Sequence, residues 1–359
     1  MFSNHCLTET ERCKVVITEC IYYADITPLN VLITTELLKC HIQSYTGEDD
    51  LDYEFNNYTG DTLLFNIKDK WNIPMEQFAI TGNPPYNTDP SYKGNKPLYN
   101  KFIEKYINGK FLLFVVPSRW FVSGKGLDKF RGFMLKRQDI VFIKHVDNSS
   151  DFFGKIVKIM GGVNYFLKDS SYCEDCLFNN KPYDLSKYEY LLKPKYHELV
   201  DFISKMDKIT TIYKGRFFGI ESNDKRLIPK GRSKCYVSTL RTKDRYKYID
   251  NYEFNENTTF WKVITSKCNP TFLKAFIVPP DEIHSGSYIS LRVNNEDEAT
   301  SLLSFLNTKF VNYMLSVCKI TQNISENTCK YIPLVPLDRI WTEEKVLEYL
   351  KIPPHLYIL

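Results

Sequence analysis

The first 170 residues alternate between short apolar runs and segments with helical periodicity. Residues 14–24 are β-branched and aromatic, and they predict a buried strand that ends at Asp25. Pro28 then begins a helix that continues to about Lys39. Further strands are predicted at 77–81, 111–116, 139–146 and 161–168, and helices at 96–107 and 124–135. Strands that alternate with helices in this way are typical of an α/β fold with a mostly parallel sheet.

This alternation stops near residue 170, where we expect the architecture to change. Residues 296–318 form the clearest helix of the C-terminal half, and its apolar stripe predicts core packing. The stripe consists of Leu302, Leu303, Leu306, Phe310 and Met314. We therefore predict two domains, an α/β domain over residues 1–170 and an α+β domain over residues 171–359.

The composition is that of a globular protein rather than a disordered one. Of the 359 residues, 43% are hydrophobic and 25% are charged. No stretch approaches the ~18 apolar residues of a membrane span, and the N-terminus lacks the apolar run of a signal peptide. The ten cysteines are scattered, and a single close pair, Cys173 and Cys176, is a weak zinc signal. We expect a cytoplasmic protein with reduced cysteines and no metal site.

One segment of the chain is strongly basic, although the overall net charge is only +4. Residues 205–247 contain 13 lysines and arginines against four acidic residues, a net charge of +9, and tyrosines and phenylalanines are interleaved with them. Basic and aromatic side chains together suit nucleic acid, which offers phosphates to the cations and bases to the rings. A solvated, lysine-rich surface would have the same composition, so both interpretations stay open at this point.

The sharpest chemical signal is Asn83-Pro84-Pro85-Tyr86, at the carboxyl end of a predicted strand. In an open α/β sheet, that position faces the ligand crevice. The Asn83 side chain and the Pro84 carbonyl could accept both N–H protons of an exocyclic amine and direct its lone pair at an electrophile. Pro85 stiffens the loop without adding a donor, and Tyr86 could stack on a base taken out of a duplex. A proline-rich turn without function is the alternative.

Several ordered motifs together resemble the adenine-specific, N6-amino DNA methyltransferases of bacterial restriction–modification systems, in the class whose catalytic motifs precede the target-recognition region. The resemblance covers nearly the whole chain. The segments that carry it in the first half are YYADITPLNV (22–31), TGDTL (59–63), ITGNPPYN (80–87), KPLYNKFIEKYI with FLLFVVPSRWF (111–121), and DNSSDFFGK (147–155) with GGVNYFLK (161–168). RFFGIESN, FWKVITSK and KITQNISENTCKYIPL (319–334) resemble pieces of the recognition region.

The resemblance implies a Rossmann-like methyltransferase sheet and S-adenosylmethionine as the cofactor. Asp25, with Ile26, would hold the cofactor's ribose, and Asp61, with Thr62, would meet its adenine amine. By position, Phe153 would pack on the flipped base together with Tyr86. The basic segment would contact duplex DNA through Arg216, Lys225, Arg226, Lys230, Arg232 and Arg241.

Each of these residues has a purely structural alternative. Asp25 could cap the helix that begins near Pro28, Asp61 could be a turn residue after Gly60, and Phe153 could belong to the core. Arg119 and Lys125 could contact phosphates, although surface charge is the simpler interpretation, and His145 is expected to be a satisfied histidine rather than a base.

The sequence departs from the family at the cofactor motif. The family carries a glycine-containing loop after its first strand, upstream of the segment that Asp25 matches, where the backbone approaches the methionine part of the cofactor. Only 13 residues precede Lys14 and the first glycine is Gly47, so a strand–loop–helix crossover of about 25–30 residues does not fit. Because that strand is central in the sheet, its absence would leave a gap with two apolar edges. The chain could be the remainder of a longer reading frame, a second polypeptide could supply this half, or the protein could be a DNA-binding relic.

These features predict transfer of a methyl group from S-adenosylmethionine to adenine N6 in a specific duplex sequence by base flipping. Cytosine N4 is a lesser possibility, since the chemistry on an exocyclic amine is shared. The main rival is a catalytically impaired or truncated relic that acts as a DNA-binding or specificity protein. Methylation of RNA or of a protein glutamine is a weaker rival, against which the basic segment argues. The expected partner is double-stranded DNA. A restriction endonuclease, or a polypeptide that supplies the N-terminal part, could be a further partner, and no association with a membrane is expected.

Overall fold

The structure, a computed structural model, describes residues 8–47, 53–88, 96–122, 126–155, 157–237, 245–319 and 323–357. The chain divides into two compact units. The first comprises Met1–Pro85, Leu98–Phe114 and Leu167–Ser171, and the second comprises Tyr86–Pro97, Val115–Phe166 and Tyr172–Leu359. The domain boundary predicted near residue 170 stays a prediction.

The first unit begins with helices where the sequence predicted a long strand. Helix α1 spans Glu9–Val15, a π-helical turn follows over Val16–Cys20, and strand β1 is limited to Tyr22–Asp25. The prediction of a buried strand over residues 14–24 is therefore wrong. The reason is a capping box, in which the Thr8 side chain accepts from the Glu11 backbone and the Glu11 carboxylate accepts from the Thr8 backbone. This cap starts a helix whose β-branched residues then follow the helical backbone.

The first unit continues with two strand pairs of parallel direction. Its remaining elements are helix α2 (Pro28–Thr46), strand β2 (Asn56–Thr59), helix α3 (Ile67–Trp71), strand β3 (Ala79–Gly82), helix α4 (Tyr99–Tyr106) and the start of strand β4 (Phe111–Pro117). β1 pairs with β2, and β3 pairs with β4, both in parallel. The predicted elements corresponding to α2, β3, α4 and β4 are confirmed, and α2 is longer than predicted.

The strands of the central sheet continue into the second unit. The next elements are helix α5 (Asp128–Leu135), strand β5 (Ile140–Val146), helix α6 (Ser150–Phe153) and strands β6 (Val163–Asp169), β7 (Cys176–Phe178) and β8 (Lys181–Tyr183). The sheet has the order β3-β4-β6-β5-β7-β8. β5 and β7 are parallel, whereas β7 and β8 are antiparallel, so the sheet is mixed. The predicted α/β fold is confirmed.

The C-terminal part of the second unit has short strands followed by helices. Its elements are helix α7 (His197–Ile203), strands β9 (Tyr213–Gly215), β10 (Ser233–Tyr236), β11 (Tyr246–Ile249), β12 (Trp261–Ser266), β13 (Phe276–Val278), β14 (Ile283–His284) and β15 (Tyr288–Val293), and helices α8 (Glu296–Leu306), α9 (Lys309–Cys318), α10 (Glu326–Cys329) and α11 (Glu343–Leu350). The strands form the sheets β11-β10-β14 and β13-β12-β15-β9. This is the α+β structure that the sequence predicted.

The helix predicted over residues 296–318 is two helices. Asn307 ends α8, and the Thr308 side chain accepts a hydrogen bond from the Val311 backbone and so caps α9. Leu302, Phe310 and Met314 of the predicted stripe are completely buried, so its assignment to the core is confirmed. None of the described helices combines the length and the apolar character that crossing a bilayer requires.

Candidate active site

Two carboxylates lie at the carboxyl ends of the neighbouring strands β1 and β2. Asp25 is the last residue of β1 and pairs in register with Thr59, the last residue of β2. The Gly60 backbone donates to the Asp25 carbonyl over 2.9 Å, which fixes the turn that leads to Asp61. Gly60 has a φ of +153°, and a Cβ at this position would lie 2.6 Å from the Tyr58 hydroxyl, so only glycine fits. The structure therefore brings the two predicted cofactor-binding segments together.

Each of these carboxylates uses one oxygen for a local turn. The Asp25 Oδ1 accepts from the Thr27 backbone over 2.7 Å, and the Asp61 Oδ1 accepts from the Leu63 backbone over 2.8 Å. Among the described residues, the Oδ2 of each carboxylate has no hydrogen-bond partner. Asp25 and Asp61 thus both stabilise their turns through Oδ1. The Oδ2 of each remains available to accept a hydrogen bond from a ligand.

Exposed aliphatic side chains flank both carboxylates along the chain. Ile26 is 70% exposed and Leu64 is 83% exposed, which are high values for such side chains. An apolar surface next to a hydrogen-bond acceptor suits a purine nucleoside, whose ring faces are apolar and whose edges carry N–H and O–H groups. The sequence motif pointed to Ile26 and Thr62, whereas Leu64 gave no signal that distinguished it from a core residue.

The loop after Asp61 is fastened by helix α4. The Lys105 ammonium donates to the carbonyls of Thr62 and Leu63 over 2.9 and 2.8 Å and also to that of Phe65. The Tyr106 hydroxyl donates to the Thr62 carbonyl over 2.6 Å. Burial lowers the pKa of Lys105, against the opposing charge of Asp61, and raises the pKa of Tyr106 to about 12. Both residues therefore hold the loop as hydrogen-bond donors at neutral pH.

Asn83-Pro84-Pro85 directly follows β3, whose last residue, Gly82, pairs with Phe114 of β4. Pro84 is buried and fixes the loop, whereas Asn83 and Pro85 are exposed. No described residue hydrogen-bonds to the Asn83 amide. An unengaged amide on a rigid loop at a strand's carboxyl end is the geometry expected of a ligand-binding group. Asn83 therefore lies where the sequence predicted and is free to contact a substrate.

The two predicted stacking aromatics belong to the second unit. Tyr86 is half-buried. Phe153, the last residue of α6, is also half-buried, and its ring contacts Phe152 edge-on with centroids 4.9 Å apart. Phe152 is the more exposed ring, at 42%. The roles predicted for Tyr86 and Phe153 stay predictions.

His145 is a satisfied histidine, as the sequence led us to expect. Its Nδ1 lies 2.8 Å from the buried Ser118 hydroxyl and its Nε2 lies 3.0 Å from Asp147, which also pairs with Lys193. Burial lowers the pKa of His145, so the imidazole is neutral at pH 7. Burial acts to raise the pKa of Asp147, but the hydrogen bond and charge of Lys193, together with the hydrogen bond from His145, outweigh it and lower that pKa. The Asp147 carboxylate, between β5 and α6, is thereby held in place.

The predicted DNA-binding cations lie on the surface of the second unit. Arg216, Lys225, Arg226, Lys230 and Arg232 are all exposed. Arg216 pairs with Glu221, and Arg226 pairs with Asp224 over 2.8 Å and lowers the pKa of that acid to about 2. Exposed ion pairs are weak, so a phosphate can compete for either arginine. Arg241 and Lys125 lie outside the described residues.

Comparisons with known proteins agree with the motifs. Residues 19–153 match the profile of the family described as Eco57I restriction-modification methylase. Over 148 residues the chain is 28% identical to a protein of Mycoplasma pneumoniae named "Uncharacterized adenine-specific methylase", an alignment that covers 39% of this chain and 34% of the relative. The resemblance to restriction–modification methylases predicted from the motifs is confirmed for this part of the chain.

One solved structure extends the likeness of fold beyond the matched residues. A nuclease-deletion mutant of the Type ISP restriction-modification enzyme LlaGI, in complex with a DNA substrate mimic, has a TM-score of 0.52 at 12% identity. The match covers 90% of this chain and 41% of that chain. The DrdV–DNA complex has a TM-score of 0.45 at 12% identity and covers 88% and 48%. The chain spans about a third of the length of the Mycoplasma relative and less than half of either enzyme.

Proposed function

We propose that this chain is the catalytic and DNA-binding part of an enzyme that methylates adenine N6 in duplex DNA, with S-adenosylmethionine as the methyl donor and with the target base flipped out of the helix. It would act in the cytoplasm. The observation that carries the proposal is the exposed, unengaged Asn83 amide on the rigid loop after β3. The match of the surrounding residues to restriction-modification methylases supports it.

The chemistry that we assign to this loop is activation of a poor nucleophile. The lone pair of an adenine amine is delocalised into the ring, so the nitrogen reacts only when it is made pyramidal. The Asn83 side-chain carbonyl and the Pro84 backbone carbonyl would each accept one N–H proton, and Pro85 adds no competing donor. Tyr86 and Phe153 would stack on the extruded base. On transfer the N–CH3 bond would form as the S–CH3 bond of the sulfonium breaks, which leaves a neutral thioether. The methylated nitrogen would then lose one proton to solvent water, so no side chain is assigned as a base.

The residues at the ends of β1 and β2 fit one end of the cofactor. The free oxygens of Asp25 and Asp61 would accept from the ribose hydroxyls and the adenine amine, and Ile26, Thr62 and Leu64 would line the ring. When bound, S-adenosylmethionine supplies an electrophilic methyl group on a sulfonium. No described residue of the first unit forms a glycine-rich loop of the kind that would hold its methionine end.

We therefore expect weak cofactor binding by this chain alone, because only the nucleoside end meets fitting residues. Calorimetry should show no micromolar binding of S-adenosylmethionine. Saturation-transfer NMR at millimolar ligand should show stronger transfer to the adenine and ribose protons than to the methionine protons. Asp25→Ala should abolish this transfer, and the exposed Asp69→Ala on α3 should leave it unchanged. Micromolar affinity, or equal transfer to the methionine end, would contradict this assignment.

The C-terminal α+β region is proposed as the target-recognition domain, over about residues 171–359, with residues 1–170 as the catalytic domain. Its exposed cations would contact DNA phosphates, and Lys225, Lys230 and Arg232 have no ion-pair partner among the described residues. The proposal includes Arg241. Cationic side chains that release counterions from the duplex give affinity without sequence preference, so the recognition sequence would be set by other contacts.

A second candidate function is DNA binding without turnover, and the packing of the first unit favours it. β1 and β2 form their own two-stranded sheet, and no described strand joins β1 to β3. On helix α2, Leu29, Leu32 and Leu37 are each 55–65% exposed. Soluble proteins rarely expose such an apolar stripe unless another polypeptide segment covers it. A polypeptide that supplies this half, and a cognate restriction endonuclease, are accordingly proposed partners. Binding of DNA without methyl transfer at any cofactor concentration would favour this candidate.

A further inference from the structure

A cavity of about 230 Å³ lies in the second unit where β4 and β5 end. Phe121 and Val122, which follow β4, form one wall, and Asp147, which follows β5, forms another. The Leu191 backbone donates to the Phe121 carbonyl over 3.0 Å and ties the third wall, residues 191–196, to the first. The end of α9 closes the cavity. Carboxyl ends of strands are where open α/β sheets bind their ligands.

The charged groups in this cavity are mostly cationic. Lys193 and Lys319 contribute two ammonium groups. The Tyr196 and Ser316 hydroxyls lie 3.0 Å from each other, and the Ser316 hydroxyl donates to the Tyr313 carbonyl over 2.6 Å, so both are engaged within the protein. Among the described lining residues, the charged group that opposes them is the Asp147 carboxylate, which His145 and Lys193 already engage. Since His145 is neutral, these described lining residues carry a formal charge of +1. A site of this kind is suited to a monoanion with oxygen acceptors.

The size of the cavity and its apolar walls restrict the class of ligand further. Drug-sized ligands occupy cavities of about 300–1,000 Å³, so this smaller cavity suits a single phosphate with its sugar. Phe121, Val122 and Leu191 are buried and form apolar walls behind the charged groups. Burial lowers the pKa of Lys319, and a bound anion would stabilise its charged form.

We infer that this cavity binds one backbone phosphate of the DNA strand through Lys193 and Lys319. The inference rests on the proposed function and adds a contact outside the basic segment 205–247. Asp147 begins the segment between β5 and β6 that carries Phe153. A phosphate bound next to Asp147 would therefore fix the DNA strand relative to the proposed stacking ring of Phe153. Lys193 would exchange its exposed pairing with Asp147 for the phosphate.

Salt dependence of DNA affinity measures this contact directly. The logarithm of the affinity for duplex DNA falls linearly with the logarithm of the salt concentration, with a slope of about −0.9 for each neutralised phosphate. Fluorescence anisotropy with a labelled duplex should show that Lys193→Met with Lys319→Met reduces the magnitude of this slope by about 1. The affinity at physiological salt should fall about tenfold, because charge-assisted hydrogen bonds are lost.

Two control variants show whether a change in slope is due to the charges of Lys193 and Lys319. Lys309→Met removes an exposed lysine from the other end of α9 and should leave the slope unchanged. Lys193→Arg with Lys319→Arg keeps both charges and should retain the wild-type slope, provided that thermal unfolding shows all variants to be folded. An unchanged slope in the methionine double variant, or an equal change in Lys309→Met, would overturn the inference.

Two further outcomes separate this inference from the proposed function. If the wild-type chain binds no duplex DNA, the proposed function itself fails. Lys193→Met with Lys319→Met could keep the wild-type salt dependence of DNA affinity but lose thermal stabilisation by deoxyadenosine monophosphate. In that case the cavity binds a free nucleotide, and the assignment to the DNA backbone is wrong.

Discussion

Asn83→Ala is expected to reduce methyl transfer to duplex DNA at least about 100-fold while the affinity for DNA changes little. The loss is large because the amide would contact the reacting amine where charge develops, and removal of one such preorganised group costs about 10²–10³ in rate. DNA affinity is expected to persist because it depends on phosphate contacts elsewhere. Initial rates with radiolabelled S-adenosylmethionine at millimolar concentration, together with anisotropy of the same duplex, measure both quantities.

Asn87→Ala is the matched control for this experiment. Asn87 is an exposed asparagine four residues along the chain, and its backbone bridges to Pro97. It should retain the wild-type rate. Equal rates for Asn83→Ala and the wild type would show that the loop after β3 does not take part in the chemistry, and equal losses in both variants would indicate a general disturbance of the loop.

Gly162→Ala is expected to destabilise the folded protein by about 3 kcal/mol. Gly162 has a φ of +75°, which L-residues rarely adopt, and a Cβ there would lie 2.2 Å from the Val146 carbonyl oxygen and 2.8 Å from that of Asp147. Both are backbone atoms and cannot move aside as a side-chain end could. The start of β6 would have to shift away from the end of β5. Urea denaturation of the two proteins gives the difference in the free energy of unfolding.

Gly154→Ala separates the two causes of this loss. Gly154 has a φ of +74°, within about a degree of the φ of Gly162, but an added Cβ would meet no atom within 4 Å. Its replacement should therefore cost only the backbone strain, about 1 kcal/mol. If Gly162→Ala were no more destabilising than Gly154→Ala, the close approach of the backbone at the end of β5 would be refuted.

The strands that the sequence predicted correctly are those with continuous apolar runs. β4, β5 and β6 were found within about two residues because their side chains are buried in the central sheet, and burial imposes the apolar pattern. β2 was missed because its residues, Asn56–Thr59, are mostly polar and lie in an acidic stretch. It is a strand because it pairs with β1, and the Asn56 side chain donates to the Thr18 carbonyl over 2.7 Å. A pairing between distant segments leaves no local pattern.

The candidate site shows the same division between local and distant signals. Asp25, Asp61 and Asn83 could be predicted because each lies at or just after a strand end in a recognisable motif. Lys105 and Tyr106 could not, since they reach the Asp61 loop from a helix more than 40 residues later. The cavity lysines, Lys193 and Lys319, come from segments that only the tertiary fold brings together.

The exposed stripe of α2 illustrates a limit of periodicity. Leu29, Leu32, Ile33 and Leu37 recur at helical spacing, which indicates a buried face, and the helix is present. In the structure these side chains are 48–65% exposed. Periodicity identified the face correctly but could not say whether the described residues of this chain cover it.

The most direct test of the account is the identity of the methylated base. A duplex of mixed sequence is incubated with the chain and millimolar S-adenosylmethionine, and its nucleosides are then analysed by mass spectrometry. We expect N6-methyladenine with the wild-type chain and with Asn87→Ala, and its loss with Asn83→Ala. DNA that is bound but carries no N6-methyladenine, or that carries N4-methylcytosine instead, would contradict it.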